Sequence, residues 1–206
     1  MKNGYRLSFT AASLLLYDSV ELARRYLERG DWSEAIASMV ETPVSQRSIS
    51  TIKRESSELA IRLQQLSAAL LERLVVCEVE EARIILLYAI LKTYPLIRSF
   101  CLDVLYEKSL LLDDRLEAYE INAFFREEEE RQPLLEQKTE KTRQKLKQVL
   151  IKILVDANLI KSTQNRTIIR PYVDPDIGRM ILEDGGEIYL KALLMNDNEI
   201  TAVKAA

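Results

Sequence analysis

The sequence predicts an all-α, mainly helical protein with helix-turn-helix elements and a small C-terminal β-hairpin wing. Three observations carry that prediction. Only five glycines and five prolines interrupt 206 residues, and the chain is rich in Leu, Glu, Lys, Arg and Ala, which favour helix. Apolar side chains recur at i, i+3, i+4 and i+7 through most of the chain. The one change of period, to short runs around a polar turn, falls at "IKSTQNRTIIRPYV" (160–173), directly after an amphipathic helix. A helix followed by a small hairpin is the second half of a winged helix-turn-helix.

After an extended "YRLSF", a first helix is expected from Thr10, as N-cap, to Arg29, with Leu15, Leu16, Leu22, Ala23 and Tyr26 on one face. Gly30 closes it as a C′ glycine. Asp31 caps the next helix, Glu34 stands at capping-box spacing, and Pro43 stops it. A third helix covers Ser45–Leu66, with Ile52, Leu59, Leu63 and Leu66 inward, and a short one covers 67–76. Glu80–Thr93 is apolar nearly all round, so it is central. Pro95 suits the first turn of the helix after it. A helix over Glu117–Arg131 ends in the acid run Glu127–Glu130, read as a solvated face, and Asp113–Asp114 before it are read as capping residues.

Pro133 marks the expected boundary between an N-terminal helical bundle (1–132) and a C-terminal winged-helix-like region (133–206). The helix at 139–160 opens that second region. Leu146, Val149, Leu150, Ile153, Leu154 and Ala157 form its dry stripe, and Lys141, Lys145, Gln148 and Lys152 form a wet one. Two helices, Pro175–Glu183 and Glu187–Met195, are expected around Gly185–Gly186, followed by a frayed end.

Composition removes several function classes. There is no histidine, hence neither the commonest general base nor the commonest zinc ligand. No glycine-rich phosphate loop and no G-x-S-x-G elbow occurs. No catalytic residue, metal site, cofactor or small-molecule substrate is therefore expected. Cys77 and Cys101 lie far apart in apolar helical patterns and read as reduced core residues of a cytoplasmic protein. Lys2 and Arg6 precede a segment that soon turns amphipathic, unlike a signal peptide. The longest apolar run, Ile84–Leu91, is far short of the ~20 residues of a membrane span, so no membrane contact is expected.

Charge placement is more informative. Between Lys138 and Arg170 nine basic residues face two acids, a local +7 in a chain of net −3, which leaves −10 for the rest. A patch this lopsided attracts polyanions, and each phosphate it neutralises releases counterions. The expected partner is double-stranded DNA. Lys138, Lys141, Lys145, Lys147 and Lys152, with Thr142, would hold phosphates, and Arg143, Gln144 and Gln148 could reach base edges. Arg166 and Arg170 would belong to the wing. A second cluster, Arg47, Lys53 and Arg54 in the hydroxyl-rich "SQRSISTIKRE", would extend the footprint. The bland alternative is that these cations pair with neighbouring acids, the run Glu127–Glu130 being the nearest.

Four segments occur in order: "SFTAASLLLYDSVELARRYLERGDW", "LLYAILKTYPLIRSFCLDVLYEK", "AFF" at 123–125 and "TRQKLKQVLIKILVDANLI". Together they resemble the BrxA family, small accessory proteins of bacteriophage-exclusion (BREX) defence systems. The resemblance spans roughly residues 5–183, and its sharpest pieces are Thr93-Tyr94-Pro95 and Thr142-Arg143-x-Lys145-Leu146. One departure is Ala12-Ser13, where the family pattern carries glycine after "FTA"; a helical start tolerates it. The resemblance implies a nearly all-helical protein with helix-turn-helix elements that binds duplex DNA without catalysis, alongside other BREX components. Two alternatives stay open: a protein–protein adaptor within the defence complex, and a helical RNA-binding protein of the NusB type.

Overall fold

A computed structural model describes residues 5–205; Lys2 lies outside them. No strand is formed among the described residues. The chain is predominantly helical, and one continuous cluster of buried side chains runs from Phe9 to Val203.

The first helix begins later than its pattern suggests. A single 3-10 turn, Ser8–Ala11, precedes an extended stretch, and α1 spans Leu16–Arg29. The cause is Arg62. Its guanidinium donates to the carbonyls of Ser13 (2.5 Å) and Ala12 (2.6 Å), the acceptors that a helix starting at Thr10 would need for its own ladder. Gly30 does end α1, in the left-handed region at φ 73°, its N–H on the Tyr26 carbonyl. Asp31 caps α2 (Trp32–Glu41) by accepting from the Glu34 N–H at 2.9 Å. Ser48 and Ser67 cap α3 (Ile49–Leu63) and α4 (Ala68–Leu74) in the same way.

α5 (Val79–Thr93) is the centre. Ten of its side chains are buried, on every side, and α1, α3, α4, α11 (Pro175–Gly185) and α12 (Glu187–Ala192) all pack on it. Tyr94 and Pro95 turn the chain into a second helical run: α6 (Pro95–Phe100), a π-helical segment Cys101–Tyr106, and α7 (Glu107–Leu110). Among the described residues no single helix is long and apolar enough to cross a membrane; α5 and this run reach that length and apolarity only as a pair, bent by 114°. Cys101 is fully enclosed and burial pushes its thiol up to about 12, so it stays protonated, while Cys77 is half-buried.

α8 (Ala118–Arg131) opens with a capping box of Glu117 and Glu120, so the cap is not Asp113–Asp114. Asp113 instead accepts from Lys108 at 2.5 Å and from the Arg115 N–H. Nor is the acid run simply solvated. Glu128 is buried and accepts from the Tyr5 hydroxyl at 3.0 Å, and Glu129 approaches Arg143 at 3.5 Å. After a single turn, α9 (Pro133–Glu136), comes α10 (Glu140–Asp156), capped by the Thr139 hydroxyl.

The predicted wing is not a hairpin. Ile160 and Ile168 form one isolated bridge, and Arg115 and Thr167 another. The turn itself exists, closed by the Ser162 N–H on the Asn165 carbonyl at 3.0 Å. On its inner edge the second arm meets the first through the Lys161 N–H on the Thr167 carbonyl (3.0 Å) and the Ile169 N–H on the Leu159 carbonyl (2.8 Å); on its outer edge the Ile168 N–H donates to the Asp114 carbonyl at 2.6 Å and the Arg166 carbonyl takes the Leu116 N–H. With one rung per side, and Pro171 lacking an N–H to continue, no ladder builds. The expectation of a frayed end also fails. α13 (Asp197–Ala205) buries Ile200 and Val203, and Val203 lies so close to Gly178 of α11 that a Cβ there would meet it at 3.1 Å.

Candidate nucleic-acid interface

α10 sits where its apolar stripe dictates. Leu146, Val149, Leu150, Ile151, Ile153 and Leu154 are buried, and the helix lies against the Ser8–Ala11 turn. Burial of that stripe fixes the rotation of the helix. It leaves Lys141, Gln144, Lys145, Gln148 and Lys152 exposed on the far side. Asn158, in the left-handed region at φ 61°, then turns the chain so that 162–166 returns beside α10.

A groove of about 260 Å³ results, between α8, α10 and that turn. Gln144, Lys147, Gln148 and Ile151 come from α10, Thr163 and Arg166 from the turn, and Ala118, Ile121 and Asn122 from α8. Asn122 accepts from Lys147 at 3.0 Å, which holds that ammonium over the Phe125 ring at 5.4 Å. Asn122 and Thr163 were not legible as site residues. Asn122 lies 25 positions from its partner, and no periodicity signals that. Gln148 has no hydrogen-bonding partner among the described residues, so its amide is free to donate and accept.

The basic residues divide by what they already hold. Lys141, Lys145 and Lys161 are exposed, Lys138 is half-buried, and none of the four ion-pairs among the described residues. Among the described residues the Arg166 guanidinium donates only to the Thr163 carbonyl, at 3.2 Å. Lys152 faces Asp156 at 3.3 Å, one turn on; exposed pairs of this kind contribute little and open readily. Thr142 lends its N–H to the cap, and its hydroxyl lies 2.9 Å from that of Thr139.

Arg143 is committed. It donates to Glu140 at 3.1 Å and to the carbonyls of Lys138 (2.9 Å) and Glu136 (3.3 Å), and faces Glu129 at 3.5 Å. It braces α9 against α10, as the bland alternative expected for this cation. Gln144 also donates to Glu140, at 2.7 Å. These two bonds, Gln144 first, hold the Glu140 carboxyl below its ordinary range.

The more distant cations lie elsewhere. Arg47 ion-pairs with Asp18 of α1 and with Glu55 at 2.5 Å, tying the α2–α3 loop down. Arg170 donates to the Leu194 carbonyl and to Glu199 of α13 at 2.7 Å. Lys53 and Arg54 are exposed on α3 without ion pairs among the described residues. The structure thus gathers Gln144, Lys147, Gln148 and Arg166 round one groove, with Lys141 and Lys145 along the same helix.

Comparison with known proteins gives three findings. A family model described as BrxA matches residues 3–185. A protein of Bacillus cereus (strain H3081.97) named "BREX protein BrxA" is 31% identical over 143 residues, covering 69% of this chain and 72% of its own length. The crystal structure of an uncharacterized protein from Magnetospirillum magneticum superposes with a TM-score of 0.80 at 19% identity, over 92% of this chain and 97% of that one. That likeness extends the fold, not the function.

Proposed function

The chain belongs to the BrxA family of bacteriophage-exclusion (BREX) defence systems, and from that premise we propose that it is a non-catalytic protein that docks on double-stranded DNA through α10 and the adjoining 162–166 turn. In this reading α9 and α10, joined by 137–139, serve as the helix-turn-helix. Lys141, Lys145, Lys152 and Lys161 take phosphates, as does Arg166 from the turn. Gln148 reads base edges and Gln144 assists; Arg143, committed to its neighbours, positions the helix instead. Lys138 and Thr142 flank the docking face, and Lys53 and Arg54 are a separate basic point.

The single observation that carries the reading is the unspent positive charge of α10. Packing turns its lysines outward, and the protein's own carboxylates take up only part of them. The groove supplies cations, amides and a hydroxyl, which suit binding rather than bond breaking. With ~5 phosphate contacts, log affinity should fall against log salt with a slope of about −4 to −5. A fluorescence titration of a labelled duplex across a salt series measures this; a flat response rejects the proposal. Duplex RNA and single strands as competitors then separate this function from RNA binding, because A-form grooves present a different shape.

A further inference from the structure

The connection from α7 to α8, whose residues 114–116 bond the 166–168 arm, carries an exposed apolar tip. α7 ends at Leu110-Leu111-Leu112, and Leu111 and Leu112 are 78% and 88% exposed. Tyr119 at the start of α8 is exposed beside them, and it shares a cleft with Leu111. Three consecutive outward leucines are costly on a solvated surface and mark a contact site.

Backbone geometry strengthens the point. Leu112 sits in the left-handed region at φ 57°, a helix-end position that suits glycine, and the Asp113 N–H closes the turn on the Lys108 carbonyl at 3.0 Å. A leucine there is strained. Leu194 adopts the same conformation at φ 64°, but its side chain is 1% exposed, so burial offsets the strain. Leu15, at φ 47°, packs against the core. Leu112 is the one positive-φ leucine among the described residues whose side chain gains no such shelter.

The rim states what would cover it. Asp103, Glu107 and Asp114 are exposed carboxylates without ion pairs among the described residues. Lys108 and Arg131 share the cleft, but Lys108 is paired with Asp113 and Glu120 and Arg131 with Glu127 and Glu128, so the rim stays net acidic and disfavours a symmetric tip-to-tip dimer. The fitting occupant is apolar and cationic, and the chain itself presents that surface. A groove of about 620 Å³ between the N-terminal strap and α9–α10 is walled by Tyr5, Leu7, Leu134 and Leu146 and flanked by Arg6 and Lys138. Leu134 there is a further exposed leucine.

We propose that the leucine tip 110–112 of one molecule docks in the apolar, basic Leu134 groove of a second copy, head to tail. The contact is heterologous: each copy keeps a free tip or a free groove, so the association is open-ended. It lies at the small end of specific interfaces, so it is weak in free solution. It shares Lys138 and Thr142 with the flank of the proposed DNA face, and it is tested without DNA so that its outcome does not depend on that reading.

Sedimentation velocity of the full chain, raised in concentration towards ~1 mM at low salt, should show an average mass that climbs with concentration. Leu112→Gly should weaken that association roughly tenfold or more while its thermal midpoint stays level or rises, because glycine relieves the left-handed strain. Leu134→Glu, at an exposed position, should weaken it equally. An equimolar mixture of the two variants should form dimers and stop there, because the Leu134→Glu chain supplies an intact tip and the Leu112→Gly chain an intact groove. A chain that stays monomeric throughout, an association indifferent to Leu112→Gly, or variants that fail to complement each overturn the proposal.

Discussion

α5 and α10 are helices of similar length with opposite fates. α5 is buried on all sides and makes no distinction among directions. α10 is buried on one stripe only, and that asymmetry turns it from packing material into a surface. The contrast teaches where the information lies: a helix dry all round specifies the fold through volume, and a half-dry helix fixes its rotation and so aims its polar side chains. Substitutions on α5 should therefore alter stability and leave the charge face alone, and those on the outer face of α10 should do the reverse.

The largest expected effect tests the first half. Leu87, fully buried on α5, truncated to Ala should cost about 2–5 kcal/mol through lost burial and a residual cavity, read by chemical denaturation. Any DNA binding that survives at low temperature should keep its salt slope. Next, Lys141, Lys145 and Lys152 changed together to Ala should lower the log–log salt slope by roughly 3 with an unchanged denaturation midpoint. If that variant unfolds instead, the two helices do not differ as described.

Legibility in the sequence follows the same contrast. α5 and the dry stripe of α10 stand out because burial imposes a period, and periods survive in a single chain. The cap at Asp31 and the Gly30 terminus are local chemistry, equally readable. What was hidden depends on partners far along the chain. Arg62 takes the carbonyls that would have started α1 at Thr10. Asp114 and Leu116 bond the outer edge of the 166–168 arm, while a single bridge joins its inner edge to 159–161, so the turn at Ser162–Arg166 is real but the wing is not. On the candidate site, the basic run was visible as a sum, while the division into spent cations (Arg47, Arg143, Arg170) and unspent ones (Lys141, Lys145, Lys161) needed their neighbours. Asn122 had no local signature.

A smaller effect sharpens the link between cap and surface. Thr139 accepts from the Thr142 N–H at 3.2 Å and starts α10. Thr139→Ala should cost about 1 kcal/mol and fray the turn that carries Lys141. DNA affinity should then fall modestly while the slope stays near its original value, since every lysine remains. A drop as deep as that of the triple lysine variant would mean that helix order, rather than charge, limits binding.

The smallest effect concerns the one acid inside the basic helix start. Glu140 is held ionised below its ordinary range by the amide of Gln144 and the guanidinium of Arg143. A depressed carboxylate lends stability above its unfolded value of ~4.3 and loses it as pH falls through the folded one. Glu140 is therefore fully charged across pH 6–8, where it subtracts from the field that α10 presents to a phosphate backbone. Glu140→Gln should raise duplex affinity roughly two- to fivefold, by the same factor at pH 6 and pH 8. It should weaken the helix start slightly, because an anion near the N-terminus of a helix is favourable. Arg143 stays in place through Glu129 and the carbonyls of Glu136 and Lys138. An unchanged affinity would show that Glu140 already spends its charge on Arg143, so that the outward field of α10 comes from the lysines alone.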